Sequence, residues 1–132
     1  MIVPDASAFA LTFTADDPRA AAADHALRAD PAWLVPQTWH TEVLSVIRGL
    51  WRGGKLDLAR ADAAVAALST ATVAVTAVTP LLPRMWQLRE NLSSHDAAYV
   101  AAAEAHDLTL VTADVRIARA GVARCPVLTL AA

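Results

Sequence analysis

Five short apolar runs, spaced by longer stretches of helical character, constrain this chain more than any other feature. They are MIVP (1–4), WLVP (33–36), TVAVTAV (72–78), LTLVT (108–112) and PVLTL (126–130). Each is rich in aliphatic or β-branched residues and too short for a buried helix, so each reads as a strand. Strands that alternate with helices specify an α/β fold with a mainly parallel sheet covered on both faces. Functional sites in such folds form beyond the carboxyl ends of the strands.

The stretches between the strands carry helical signals. Ala6 to Phe13 reads as a first helix, and DDPRAAAADHALRA (16–29) as a second. Asp17 is placed as the N-cap of that second helix, with Pro18 at its first position. QTWHTEVLSVIRGLWRGG (37–54) reads as a third helix, closed by the Gly53–Gly54 pair. LDLARADAAVAALS (56–69) is a fourth, and TPLLPRMWQLRENL (79–92) a fifth that is entered or kinked at Pro83. SSHDAAYVAAAEAHD (93–107) and DVRIARAG (114–121) complete the set. No repeat, low-complexity tract or interdomain linker interrupts residues 1–132, which are expected to form one domain.

Composition removes several function classes. No apolar segment reaches the roughly 18 residues needed to cross a bilayer. No basic, apolar, small-residue leader precedes the first strand, so a cytoplasmic protein is expected rather than a secreted or membrane-bound one. The single cysteine, Cys125, lies between Arg124 and Pro126 with no histidine near it in sequence, and reads as a small buried hydrophobe. A net charge of −2 gives no whole-chain footprint for nucleic acid. Lys55 is the only lysine, the other basic residues being arginines. Arginine suits bidentate phosphate contact, although a GC-rich genome would account for the arginines and the alanines alike.

Four acids stand at places where chemistry is built. Asp5 ends the first strand and Asp114 follows the LTLVT strand, so parallel strands bring both to one edge of the sheet. Asp96 opens the sixth helix, and Glu42 lies inside the third. Asp5 and Asp114 also suit plain N-caps, and Ser93 with Asp96 forms a capping-box pattern in the first turn. Glu42 is harder to explain structurally. Trp39, Val43, Val46, Ile47 and Leu50 form an apolar stripe, and Glu42 falls within or against it. A lone buried carboxylate is costly, so Glu42 needs a partner. If the acids converge, two carboxylates about 4 Å apart repel by roughly 4 kcal/mol at an effective dielectric near 20. Such a group raises its own pKa values or recruits a cation. No arginine or lysine stands out as neutraliser, and magnesium or manganese is the natural cation for an all-oxygen set. His25, His40, His95 and His106 form no zinc spacing and read as surface or partly packed.

Four pieces in order carry a resemblance: a first strand ending V-x-D-A-S, a helical glutamate in W-x-x-E-V, a helix opening D-A-A-Y-V-A-A-A-E, and a strand ending L-V-T-A-D. Together these resemble a PIN domain, and the length and element order are similar to VapC toxins of bacterial toxin–antitoxin pairs. The resemblance covers nearly the whole chain. It implies a PIN-like three-layer α/β/α architecture with a mainly parallel central sheet of about five strands. It also implies an endoribonuclease whose Asp5, Glu42, Asp96 and Asp114 surround Mg2+ or Mn2+. Ser7 matches a small hydroxyl residue of the family, and Thr112 one before the last aspartate. Both are supporting residues in that reading, or structural caps.

Metal-activated water would then cleave an RNA phosphodiester, in RNA that is structured or single-stranded. Arg116 and Arg119, on the helix after Asp114, are candidates for RNA phosphate contact or for plain surface solvation. Some relatives have a further acid or amide shortly after the last aspartate, where this chain has Val115 and Arg116. That departure leaves a second metal position open. His95 departs from the aromatic of many relatives with no evident consequence. A homodimer and a VapB-type antitoxin are the implied partners, with Trp39, Trp51 and Trp86 as candidates for their surfaces or for core packing.

Rival readings are weaker. A receiver domain would want a lysine after a late strand, and a haloacid-dehalogenase-type phosphatase would want D-x-D where this chain has Asp5-Ala6-Ser7. A PIN nuclease of RNA processing, or an acid pocket that only binds, stays as the alternative.

Overall fold

The computed structural model describes residues 1–132. Its strands are β1 (Ile2–Pro4), β2 (Leu34–Pro36), β3 (Ala74–Thr76), β4 (Thr109–Thr112) and β5 (Val127–Thr129). All pairings are parallel, in a three-stranded sheet ordered β1-β4-β5 and a two-stranded sheet β2-β3. A single parallel bridge between Ile2 and Trp33 joins the two, so the strand sequence in space runs β3-β2-β1-β4-β5. The expected single sheet is therefore divided. Pro4 and Pro36 close β1 and β2 without an N–H to offer a ladder, and this confines β1–β2 pairing to the bridge.

The chain runs outward from β1 through β2 to β3, then returns to place β4 on the other side of β1. The reversal makes the β1–β4 boundary the switch point of a doubly wound sheet, where a crevice opens at the carboxyl edge. Register fixes what stands there: Pro4 pairs with Val111, and the next residue, Asp5, donates its N–H to the Val111 carbonyl at 3.0 Å.

The helices are α1 (Ala6–Leu11), α2 (Ala20–Ala29), α3 (Trp39–Arg52), α4 (Leu58–Thr70), α5 (Leu82–Gln87), α6 (Ser94–Ala105) and α7 (Val115–Ala120). None is long and apolar enough to cross a membrane. Several expected ends move by about two residues, and two stretches differ in more than their ends. α2 begins at Ala20 and Asp17 does not cap it. The Asp17 carboxylate instead takes the Arg19 N–H at 2.9 Å and the Arg19 guanidinium at 2.9 and 3.1 Å, closing a turn before the helix. Those hydrogen bonds hold Asp17 down to about 2. The fifth helical stretch divides into a 3-10 turn at Thr79–Leu81 and the short α5, with Pro83 in its first turn. Beyond Gln87 the chain turns so that Leu88 and Leu92 reach the core.

Successive strand residues face opposite layers, as a doubly covered sheet requires. Val3 and Leu110 pack in one core with Val35, Trp39, Val43, Ile47, Tyr99 and Ile117. Ile2 and Val111 pack in a second with Leu11, Leu27 and Leu130. Trp39, a candidate for a surface, is fully buried, its ring edge-on to Phe9 at 5.3 Å. Trp51 and Trp86 are exposed. Cys125 packs against the main core, and burial pushes its thiol up.

Candidate active site

Asp5 leaves β1 at the switch point and enters α1. Its carboxylate caps that helix by accepting the Ala8 N–H at 2.9 Å, so the structural role foreseen for it is real. It does more than cap. The Ser7 hydroxyl donates to Oδ1 at 2.6 Å, and the Thr112 hydroxyl donates to Oδ2. The side chain is almost fully buried. Burial pushes the acid above its ordinary range, the three hydrogen bonds pull it back only in part, and the negative charge of Asp96 adds to the rise.

Ser7 and Thr112 tie the two strand ends together. Ser7 Oγ accepts the Ala113 N–H at 3.1 Å, and Thr112 Oγ1 accepts the Asp114 N–H at 2.9 Å. Asp114, the N-cap of α7, accepts the Arg116 N–H at 2.9 Å. It also receives the Arg116 guanidinium at 2.7 and 3.0 Å. Hydrogen bonding from that guanidinium holds Asp114 below its ordinary range. No neutraliser was foreseen for the acids; Arg116 is one. Its side chain is 82% exposed, so solvent screens the pair and it adds little to stability. Arg119 is exposed in the last turn of α7.

Asp96 lies in the first turn of α6, whose cap Ser93 accepts the Asp96 N–H at 3.2 Å. It is half-buried and raised, first by burial and then by the charges of Asp114 and Glu42, while Ser93 and Arg116 act the other way. Asp96 is thus the acid that repels each of the other three.

Glu42 has the partners that its place beside the stripe demands. The Tyr99 hydroxyl donates to Oε2 at 2.7 Å, the Thr38 hydroxyl donates to Oε1 at 3.1 Å, and His95 Nδ1 lies 2.7 Å from Oε1. Burial, with the Glu42 hydrogen bond and charge, pushes the Tyr99 phenol far above its ordinary range, so it stays a donor. Sequence reasoning passed over Tyr99 and gave His95 no consequence. One signal was available: this is the chain's sole tyrosine, set in an alanine-rich apolar helix where a buried hydroxyl needs a partner.

Four carboxylates form an all-oxygen donor set, which in chemistry fits a hard divalent cation such as Mg2+ or Mn2+. As the side chains stand, no three His, Cys, Asp or Glu groups are arranged to hold a metal ion. Asp114 turns to Arg116, while Glu42, held by Tyr99 and His95, stays near enough to Asp96 for its charge to raise that acid. A groove of roughly 870 Å³ skirts the site on the Asp114 side. It is lined by Ser7, Leu11, Val46, Leu50, Lys55 and Arg116 among others, and it does not include Asp5, Glu42 or Asp96.

Comparison with known proteins bears on this arrangement. The PIN domain family model matches residues 2–123. Ribonuclease VapC9 of Mycobacterium tuberculosis is 39% identical over 127 residues, which span 96% of each chain. Among solved structures, PAE2754 from Pyrobaculum aerophilum superposes with a TM-score of 0.69 at 21% identity, covering 96% of this chain and 81% of that one. A toxin–antitoxin complex from Klebsiella pneumoniae superposes with a TM-score of 0.63 at 20% identity, covering 98% and 97%. At such identities the structural likeness speaks for the fold alone.

Proposed function

The chain belongs to the PIN domain family, among its VapC ribonucleases, and from that membership we propose that it cleaves RNA as the toxin of a toxin–antitoxin module. It is an endoribonuclease of the hydrolase class. Its proposed cofactor is Mg2+ or Mn2+, held by Asp5, Glu42, Asp96 and Asp114. The observation that carries this reading is the carboxyl edge of β1 and β4, where Asp5 lies buried on the Ser7 and Thr112 hydroxyls, Thr112 also takes the Asp114 N–H, and Asp96 stands near enough for its charge to act on Asp5.

When bound, the cation lowers the pKa of a water and offsets charge developing on the scissile phosphate. The chain's own residues hold the frame. Ser7 and Thr112 fix the Asp5 carboxylate and bind the β1 end to the β4 end. Asp114 would help hold the cation with its carboxylate freed from the Arg116 guanidinium, and Arg116 would then offer its planar fork to an RNA phosphate. Lys55 and Arg116 bring positive charge to the groove lining, and Arg119, exposed in the last turn of α7, is the second proposed phosphate contact. Positioning and electrostatics then supply most of the rate. A VapB-type antitoxin is the proposed protein partner, and a homodimer the proposed assembly.

The test is direct. Purified chain incubated with structured and single-stranded RNA should cut it with Mg2+ or Mn2+, stop with chelator, and resume when metal is restored. Cleavage that persists unchanged in chelator would reject the metal-dependent reading. Full binding of RNA without cleavage under every metal condition would favour a silent acid pocket instead.

A further inference from the structure

The acid pocket is served by more than acids. Three residues at one end of α6 address it: Asp96 directly, and His95 and Tyr99 through Glu42. Tyr99 lies one turn beyond Asp96, and residues three apart share a helix face. Its ring is buried with Ala97, Val100 and Ala103 in the main core, and its hydroxyl reaches across to α3. A phenylalanine would fill the same volume. What the hydroxyl adds is a donor 2.7 Å from Glu42 Oε2.

Counting acceptor sites on Glu42 shows what that donor does. A carboxylate has about four lone-pair sites. Thr38 and His95 take two on Oε1, and Tyr99 takes one on Oε2. One site on Oε2 is left. Without Tyr99 the carboxylate is held at one oxygen only and is free to turn about it. We propose that Tyr99, supported by His95, is a positioning residue that locks Glu42 in one orientation toward the metal-holding acids. The inference rests on reading Glu42 as one of the carboxylates that hold a divalent cation. Because Asp96 and Tyr99 ride the same helix, the lock sets Glu42 against Asp96 with the stiffness of a helical turn. Removing a partner that orients a metal-holding side chain typically weakens metal affinity or activity by about 10–100-fold.

The experiment is a calorimetric Mn2+ titration of the full chain as wild type, Glu42→Gln, Tyr99→Phe and His95→Ala, with melting curves in chelator and RNA cleavage kinetics beside it. Tyr99→Phe should fold, bind Mn2+ about 10-fold more weakly or worse, and lose kcat in proportion while KM for RNA stays within about 2-fold. His95→Ala, at an exposed position, should weaken Mn2+ measurably but less than Tyr99→Phe does. A Tyr99→Phe protein that binds Mn2+ like wild type, while Glu42→Gln binds it at least 10-fold more weakly, overturns the positioning role and leaves the metal reading intact. If Tyr99→Phe does not fold, an unchanged Mn2+ affinity in His95→Ala overturns it, and a weakened one upholds it. Wild type that takes up no Mn2+, or Glu42→Gln that takes it up normally, rejects the underlying reading of Glu42 and this inference with it.

Discussion

At the scale of single residues, the site is a set of carboxylates that double as helix caps. Asp5, Asp114 and the Ser93–Asp96 pair all sit at helix starts, and each makes the hydrogen bond expected of a first turn. Capping alone does not call for burial or for mutual repulsion, and Asp5 and Asp96 have both. A carboxyl raised in the folded chain favours its neutral form there. Its stabilising contribution is complete below the unfolded value and is lost as pH rises through the higher folded value. At neutral pH, without a cation, Asp96 therefore opposes folding. Asp96→Asn should melt in chelator at or a few degrees above wild type, yet lose about 100-fold or more of RNA cleavage. Paired melting curves and initial rates check both halves; a variant that melts much lower would make Asp96 a structural acid.

At the scale of elements, α3 and α6 set the distance across the site. α3 is anchored by Trp39, Val43 and Ile47, all buried, and Glu42 projects from its first turn. Ile47→Ala should cost about 2–5 kcal/mol in urea denaturation, since the site is closely packed on all sides. α6 is tied at its far end, where Glu104 accepts from Arg84 at 2.7 and 3.0 Å and from the Arg124 N–H at 2.8 Å. Burial pushes Glu104 up, but the Arg84 and Arg124 hydrogen bonds outweigh it and leave the acid below its ordinary range. This contribution is present above the unfolded value near 4.5 and is lost as pH falls through the lower folded one. Glu104→Gln should be less stable by about 1–3 kcal/mol at pH 7, and the gap should narrow below about pH 4.5. A gap that is constant with pH would mean the pair is not ionic.

At the scale of the whole molecule, the α/β class with its parallel sheet covered on both faces was legible because helical stretches separate every pair of short aliphatic runs up to the last. The division of the sheet was not, because it depends on what Pro4 and Pro36 withhold from a neighbour. The start of α2 misled for a related reason: Asp17 and Pro18 make a strong cap signal, but Arg19 claims the carboxylate first. At the site, Glu42 stood out as an acid beside an apolar stripe. Its partners did not, since His95 and Tyr99 are 53 and 57 residues away and only the fold brings them near. Arg116 was visible as a cation beside Asp114, and only the structure joins the two. The central claim is that Asp5, Glu42, Asp96 and Asp114 meet to hold a divalent cation. A crystal grown with Mn2+ and measured at its absorption edge tests it most directly. The account predicts an anomalous peak bonded to carboxylate oxygens among Asp5, Asp96, Asp114 and Glu42, with Arg116 withdrawn from Asp114. A peak elsewhere, or none at saturating Mn2+, would contradict it.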